Sequence, residues 1–260
     1  MSSQNGATAV IARGPRIEAG RLLQLHLGCG HQRIPGWVNC DLTPGAAVDL
    51  AFDVQQSPWP FETNAAAIVY ASHLLEHLRD PWTFFREAWR VLQPGGDVVL
   101  RLPYGDHRAA WWDLTHIRPW YAESFCAFQP GYAQAVGNPQ TIGWEWPFGI
   151  ETADLRISGK FALLLRRRWL RRWLLPFADN VQNMIEEMWV TMTALKTPAA
   201  VSAWRLEHPH ANAVGTRLVM YGHHLEGRTR LEPGELANLV DLRHDEMING
   251  FHAWVGWGRG

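Results

Sequence analysis

The alternation of short apolar runs with turns and one helical segment, from residue 21 to residue 102, constrains this chain more than any other feature. Residues 22–27 (LLQLHL), 37–42 (WVNCDL), 48–54 (VDLAFDV), 66–71 (AAIVYA) and 97–102 (DVVLRL) have the length and composition of five strands. The fourth run is apolar throughout apart from a tyrosine hydroxyl, so it is expected to be buried on both faces, as in a parallel sheet. Ahead of the fifth run, Asp80 and Pro81 mark a helix start, with Asp as N-cap and Pro at the first helical position. Phe84, Phe85, Ala88, Val91 and Leu92 then recur at helical spacing until Pro94-Gly95-Gly96 stops the helix. Strands linked by helices or short crossovers imply an α/β fold, a doubly wound and mostly parallel sheet, here with a C-terminal extension.

Beyond Pro103 the pattern is weaker. Residues 113–128 read as a loop followed by a helix, 129–149 as irregular chain, 150–165 as holding a strand, and 185–195 (IEEMWVTMTAL) as a late strand. Thr197-Pro198 reads as a boundary. The expected organisation is therefore a flexible N-terminal arm (1–20), a main domain (21–197) and a C-terminal extension of unassigned role (198–260).

With 260 residues, 47% of them hydrophobic, the chain can bury one sizeable core. A formal net charge of −1 provides no global attraction to nucleic acid or to an anionic membrane. Cys29, Cys40 and Cys126 show no metal-ligand spacing and form no CxxC pair, and an odd count fits a reducing compartment. Residues 1–16 lack a signal-like apolar core, and no run approaches the ~18–20 apolar residues of a membrane span. A soluble, cytoplasmic protein is expected. One local exception to the charge balance is RRRWLRRWLL at 166–175. As a helix it sets Trp169, Leu170, Trp173 and Leu174 on one face and most arginines on the other. The Arg166–Arg172 stretch could touch a membrane surface or phosphates, or could be a packed helix with a solvated basic face.

Gly28-Cys29-Gly30 closes the first strand in a turn that lets backbone N–H groups approach a ligand. The dinucleotide version requires a third glycine where this chain has Arg33, which disfavours NAD. Asp41, followed by Leu42, ends the second strand, where a carboxylate accepts hydrogen bonds from ribose hydroxyls. About a dozen residues separate Gly28 from Asp41, against ~20 in a full crossover, so the first helix must shrink to about one turn. Asp53 and Val54 follow the third strand, where an acid can accept from an adenine amino group beside backbone that reads the ring. Ser72 and His73 leave the fourth strand at the same edge.

LHLGCGHQRIPGWVNCDL, VDLAFDVQQSPWPFETNAAAIVYASHLLEHLRDP and VLQPGGDVVLRLPY resemble successive motifs of class I S-adenosylmethionine-dependent methyltransferases. They are most similar to a branch with a short first crossover, a PWPF segment, SHLLEHL after the fourth strand and a D-x-T-H-x-R-P loop, here residues 113–119. NMIEEMWVTMTALK resembles the final strand of that branch. The resemblance covers residues 21–197. It implies a Rossmann-like sheet and S-adenosylmethionine as cofactor, with contacts at Gly28, Cys29, Gly30, Asp41, Leu42, Asp53, Val54, Ser72 and His73. Three positions depart from the pattern: His26 replaces an acid that contacts the methionine part of the cofactor, residues 63–67 lack an Asp near Ala66, and Leu114 replaces a Pro.

Methyl transfer requires an aligned nucleophile, exclusion of water and, for a hydroxyl or protonated amine, removal of a proton. His73, Glu76 and His77 share one helical face, and Asp113, His116 and Arg118 approach the same edge. Three readings stay open. His73 or His116 is a general base, since imidazole titrates near neutrality. Alternatively these groups bind a divalent metal, in a pattern similar to the E-x-x-E-H motif of metal-dependent methyltransferases, with His73 in place of the first Glu. In the third reading, Glu76 and His77 hold the loop to the strand end. Arg118 binds a substrate carboxylate or phosphate, or pairs with Asp113. The expected catalytic set is His73, Glu76, Asp113 and His116, without a metal. The expected reaction is methyl transfer to an O or N atom of a small-molecule, carbohydrate or nucleotide substrate. The alternative is a non-catalytic Rossmann-like scaffold that retains the fold.

Overall fold

The apolar runs form the strands of one sheet. The structure, a computed structural model, describes residues 10–11, 22–135, 137, 145–150, 152–159, 161, 168–174, 181–208 and 215–219. These lie in the first of two compact units, Met1–Tyr221; the second, Gly222–Gly260, falls outside the described residues. The strands are β1 (Val10–Ile11), β2 (Leu23–Leu27), β3 (Val38–Asp41), β4 (Leu50–Ala51), β5 (Ala66–Ser72), β6 (Leu92–Pro103), β7 (Phe148–Gly149), β8 (Thr152–Ile157), β9 (Ile185–Ala194) and β10 (Gly215–Val219). Their order is β1-β4-β3-β2-β5-β6-β9-β8-β10, with β7 pairing β9. The run β4-β3-β2-β5-β6 is parallel throughout, and β9 enters antiparallel between β6 and β8. This is an α/β, Rossmann-like, mostly parallel sheet. The chain moves outward from β2 through β3 to β4, then returns to β5 on the other side of β2. That reversal makes the carboxyl ends of β2 and β5 the topological switch point of the sheet, the place where ligands of such sheets bind.

Helix α1 (Pro81–Val91) starts as its sequence dictates, with Asp80 Oδ1 accepting from the N–H groups of Trp82 (3.0 Å) and Thr83 (3.3 Å). It buries Phe84, Phe85, Ala88 and Val91 completely against the sheet face that carries Leu25, Leu27, Val69, Ala71, Val98 and Leu100. Burying each such large apolar side chain contributes about 1.5–3 kcal/mol. The PWPF segment is pinned to this helix. Glu87 accepts from Ser57 Oγ and the Trp59 N–H (both 2.8 Å), and Arg90 donates to the carbonyls of Trp59 (3.1 Å) and Phe61 (2.9 Å). α1 ends at Val91 and β6 begins at Leu92, earlier than the Pro-Gly-Gly stop suggests. The register between β5 and β6 shifts here, and a Cβ on Gly96 would lie 2.9 Å from the Ala67 carbonyl oxygen. Glycine is therefore needed for the bulge.

The short first crossover contains no helix. A buried polar network replaces it: Asn39 donates from Nδ2 to the carbonyls of Ile34 and Trp37 (both 3.0 Å) and accepts the Ile34 N–H at Oδ1 (2.8 Å). Asp49 accepts the Asn39 N–H (2.9 Å) and pairs with Arg33 (2.7 Å). Asp49 is thus committed to this network just ahead of β4, which is shorter than its apolar run. Within the expected arm, Val10–Ile11 pairs antiparallel with β4. After Thr197, which caps helix Pro198–Glu207 by accepting the Ala200 N–H (3.1 Å), the chain adds β10 alongside β8. The expected helix after residue 113 is a 3-10 helix, Ala122–Phe128. In the basic segment, Arg168–Leu174 is helical, with Trp169 and Trp173 exposed and Leu170 and Leu174 half-buried, so the tryptophans are not the packed face. Arg166 and Arg167 lie outside the described residues.

Candidate functional site

The candidate cofactor residues gather at one edge. Gly28 follows β2 at φ +67°, and a Cβ there would meet Leu74 Cδ1 at 3.0 Å. Glycine therefore meets both a left-handed backbone and a close approach. Gly28→Ala is expected to destabilise the fold by about 1–2 kcal/mol from the backbone alone, read as a lower urea midpoint at unchanged slope. An unchanged midpoint would show that the turn relaxes freely.

Asp41, at the end of β3, accepts the Gly30 N–H at Oδ2 (2.7 Å) and the Thr43 N–H at Oδ1 (3.2 Å). Its carboxylate is thereby oriented across the glycine turn while half-exposed, and each oxygen keeps a lone pair for a ligand hydroxyl. Cys29 is buried, and its N–H donates to the Cys40 carbonyl (3.0 Å). Leu42 is exposed. Asp53 Oδ1 accepts the Gln55 N–H (2.9 Å), and the buried Val54 carbonyl takes the Trp59 indole N–H (3.0 Å). These groups fit an adenosyl moiety, which needs a close backbone turn, a hydroxyl acceptor and an apolar surface. His26 does not reach this edge. It is fully buried, with Nδ1 3.0 Å from Asn39 Oδ1 and its ring stacked on Tyr70 at 5.4 Å.

At the end of β5 the backbone makes a second left-handed turn, at His73 (φ +51°). A non-glycine residue holds this conformation only where its surroundings enforce it. Here its N–H donates to the Arg101 carbonyl (2.9 Å), Nε2 lies 3.1 Å from Glu187 Oε1, and Nδ1 lies 3.2 Å from Glu76 Oε1. Burial lowers the His73 pKa, but the paired carboxylates of Glu187 and Glu76 outweigh that and push it up to about 9. His73 is therefore an imidazolium at neutral pH, with neither nitrogen lone pair available, so it does not suit the role of general base.

Glu187 was not among the residues singled out from the sequence, yet it organises this edge. It receives Arg101 Nη2 at 2.8 Å and Nε at 3.1 Å, and lies 3.3 Å from Arg156 Nη1. Burial raises its pKa, but the Arg101 guanidinium and His73 hold it well below the usual carboxylate range. Two adjacent glutamates in an otherwise apolar late strand, and a single arginine inside DVVLRL, were the available signal. Buried charges of that kind require each other.

The loop after β6 closes on the same edge. The Ile117 N–H donates to the Glu76 carbonyl (2.7 Å), and Thr115 Oγ1 lies 3.0 Å from His77 Nδ1. That hydroxyl donates to Asp113 Oδ1 (2.7 Å), so it accepts the His77 Nδ1 proton. His116 Nδ1 lies 3.2 Å from the Ala110 carbonyl, which can only accept. Both imidazoles thus donate from Nδ1, and their ring centroids lie 4.7 Å apart. Asp113 Oδ2 is 3.8 Å from His116 Nε2. Arg118 donates to the Arg79 carbonyl (3.0 Å). Glu76, His77 and His116 each offer one ligand atom within 4.8 Å of the others.

The sequence of this segment matches a family model described as a methyltransferase domain, over residues 25–100. Residues 25–100, from β2 to the middle of β6, are thus similar to a methyltransferase domain. Proteins named uncharacterized methyltransferase in two strains of Mycobacterium leprae are 39% identical to the chain over 62 residues, 22% of this chain and 22% of each relative's length. The match thus spans about a fifth of those proteins. Among solved structures, an S-adenosylmethionine-dependent methyltransferase from Mesorhizobium loti aligns at 18% identity and TM-score 0.39, covering 66% of this chain and 90% of that one. One from Archaeoglobus fulgidus aligns at 13% identity and TM-score 0.43, covering 67% and 86%. No helix among the described residues is long and apolar enough to cross a membrane.

Proposed function

We propose that this chain transfers the methyl group of S-adenosylmethionine to an oxygen or nitrogen atom of an acceptor held at the carboxyl edge of the sheet. The observation that carries this reading is the Asp41 carboxylate, aimed by the Gly30 N–H at 2.7 Å beside a left-handed glycine turn. Asp41 would accept the ribose hydroxyls, with Leu42 covering the sugar. Asp53 and the Val54 backbone would take the adenine, and the Gly28–Gly30 backbone with Ser72 would face the amino-acid part. The cofactor supplies an electrophilic sulfonium methyl, so the protein's task is alignment and, where the acceptor is protonated, proton removal. The Nε2 of His116, whose Nδ1 is tied to the Ala110 carbonyl, is the group placed to receive that proton. Glu76 and His77 flank it, Asp113 orients His77 through Thr115, and the Ala110 carbonyl orients His116. His73 contributes fixed positive charge. The small-molecule, carbohydrate or nucleotide nature of the acceptor belongs to this proposal, as does a cytoplasmic location.

The test is calorimetric titration of the full chain with S-adenosylmethionine and S-adenosylhomocysteine, followed by transfer assays with a labelled methyl donor. Micromolar binding with transfer to an acceptor supports the enzyme. Binding of neither ligand sinks the reading and leaves the scaffold alternative.

A further inference from the structure

We propose that the loop of residues 108–118, which carries His116, is a docking surface for an anionic lipid bilayer. Four large apolar side chains stand in solvent within seven residues of it: Trp111 is 63% exposed, Trp112 43%, Leu114 100% and Ile117 46%. Apolar groups gathered on a surface in this way mark a place that another molecule or a membrane covers. Their exposure is enforced. The Arg108 N–H donates to Asn183 Oδ1, the Trp111 indole N–H to the Gly105 carbonyl and the Ile117 N–H to the Glu76 carbonyl, each at 2.7 Å. A loop pinned at both ends cannot turn its tip inward to bury it.

Three observations select a bilayer as the occupant. Leu114 is wholly exposed, so no described side chain frames it into a face that a rigid protein partner could match, whereas a fluid bilayer accepts a projecting leucine. The charges on either side of the tip are complementary to anionic headgroups. Arg108 is exposed at the N-terminal end, its guanidinium 5.2 Å from the centroid of the Trp112 ring. Exposed Arg79 lies at the C-terminal end, where its carbonyl accepts from Arg118. The acid of the loop, Asp113, is drawn toward the site instead: Oδ1 accepts the Thr115 N–H (2.8 Å) and Oγ1 (2.7 Å), and Oδ2 lies 3.8 Å from His116 Nε2. Finally, the tryptophans left exposed among the described residues are Trp111, Trp112, Trp169 and Trp173. The last two belong to helix Arg168–Leu174 (RWLRRWL), a second element that joins tryptophan to arginine. Tryptophan favours the headgroup layer, which suits its apolar body and its N–H together.

Docking of this kind is local. The net charge of −1 gives the chain no general pull toward an anionic surface, so binding depends on the apolar tip and its arginines. A nucleic acid would engage the same arginines and stack on the tryptophans, but it offers nothing to the aliphatic Leu114 and Ile117. With the tip inserted, His116, two residues from Leu114, sits at headgroup depth. Taken with the methyl-transfer reading, on which this last step alone rests, the acceptor is a lipid-carried molecule whose oxygen or nitrogen lies in the headgroup layer.

The experiment cosediments the full chain with vesicles of phosphatidylglycerol and phosphatidylcholine in equal parts, and with phosphatidylcholine alone. Binding is expected to be tighter on the mixed vesicles and to weaken with salt. Leu114→Asp should weaken it at least ~10-fold, the loss from one buried leucine. Arg108→Gln should weaken binding to the mixed vesicles about 5-fold and leave phosphatidylcholine binding unchanged. Both positions are exposed, and an unchanged urea midpoint in each variant shows that the fold is intact. Four outcomes would overturn the surface: no binding of the wild type to the mixed vesicles, binding by Leu114→Asp equal to wild type, tighter binding to a single-stranded RNA oligonucleotide than to vesicles, or a dimer in sedimentation velocity that Leu114→Asp dissociates. S-adenosylhomocysteine is titrated separately by calorimetry. Retained binding of that ligand without vesicle binding refutes the docking surface and leaves the methyltransferase reading intact; vesicle binding without S-adenosylhomocysteine binding does the reverse.

Discussion

Glu187→Ala is expected to lower the unfolding free energy by about 3–5 kcal/mol, the scale for removing one partner from a buried ion pair. The residue is 9% exposed, and Arg101, its bidentate partner, is 1% exposed. Arg101 Nη1 already has no hydrogen-bond partner among the described residues, so deleting the carboxylate would leave a buried guanidinium with almost no compensation. The deletion also frees His73 Nε2 and removes one of the restraints on its left-handed backbone. Urea unfolding measures the effect directly, and a loss under ~1 kcal/mol would show that solvent reaches Arg101 and that the network is not holding the edge.

The same network predicts a pH dependence. His73 titrates near 6.5 when unfolded and at about 9 when folded. A raised pKa means that its stabilisation is fully present below pH 6.5 and is lost as pH rises through 9. Glu187 acts oppositely: its folded pKa is depressed, so its contribution holds above about pH 4.5 and disappears in acid. Stability is therefore expected to decline from pH 6.5 to 9 in the wild type. His73→Gln should abolish that slope, and a slope that survives would assign it to other groups.

Local signals made one half of the site legible and long-range pairing hid the other. Gly28, Asp41 and Asp53 could be placed because each follows a strand, and a parallel sheet brings strand ends to one edge without further information. α1 was equally readable, since an Asp-Pro start and apolar residues at helical spacing are contained in its own segment. His73 is different. Its sequence neighbours suggest a base, but its charge state is set by Glu187, 114 residues away. Only the insertion of β9 beside β6 makes them neighbours. The first crossover fails for a related reason: Asn39 reads as one more strand residue, yet it supplies the hydrogen bonds that a helix would otherwise have satisfied internally.

Asp41→Ala is expected to weaken S-adenosylhomocysteine binding by about 3 kcal/mol, roughly 100-fold, if its carboxylate accepts both ribose hydroxyls. Part of any loss could come from the turn, because the carboxylate also accepts the Gly30 N–H at 2.7 Å. Two comparisons separate the contributions. Asp41→Asn retains an oxygen able to accept the Gly30 N–H but loses the charge and one acceptor, so its affinity should fall between those of wild type and Asp41→Ala. A deoxyribose analogue of S-adenosylhomocysteine should bind the wild type poorly, yet bind Asp41→Ala nearly as well as the parent ligand does. The mutation and the ligand change would then delete the same interaction, and their costs would not add. If the two costs instead add in full, Asp41 acts only through the turn, and the ribose must be held by another group.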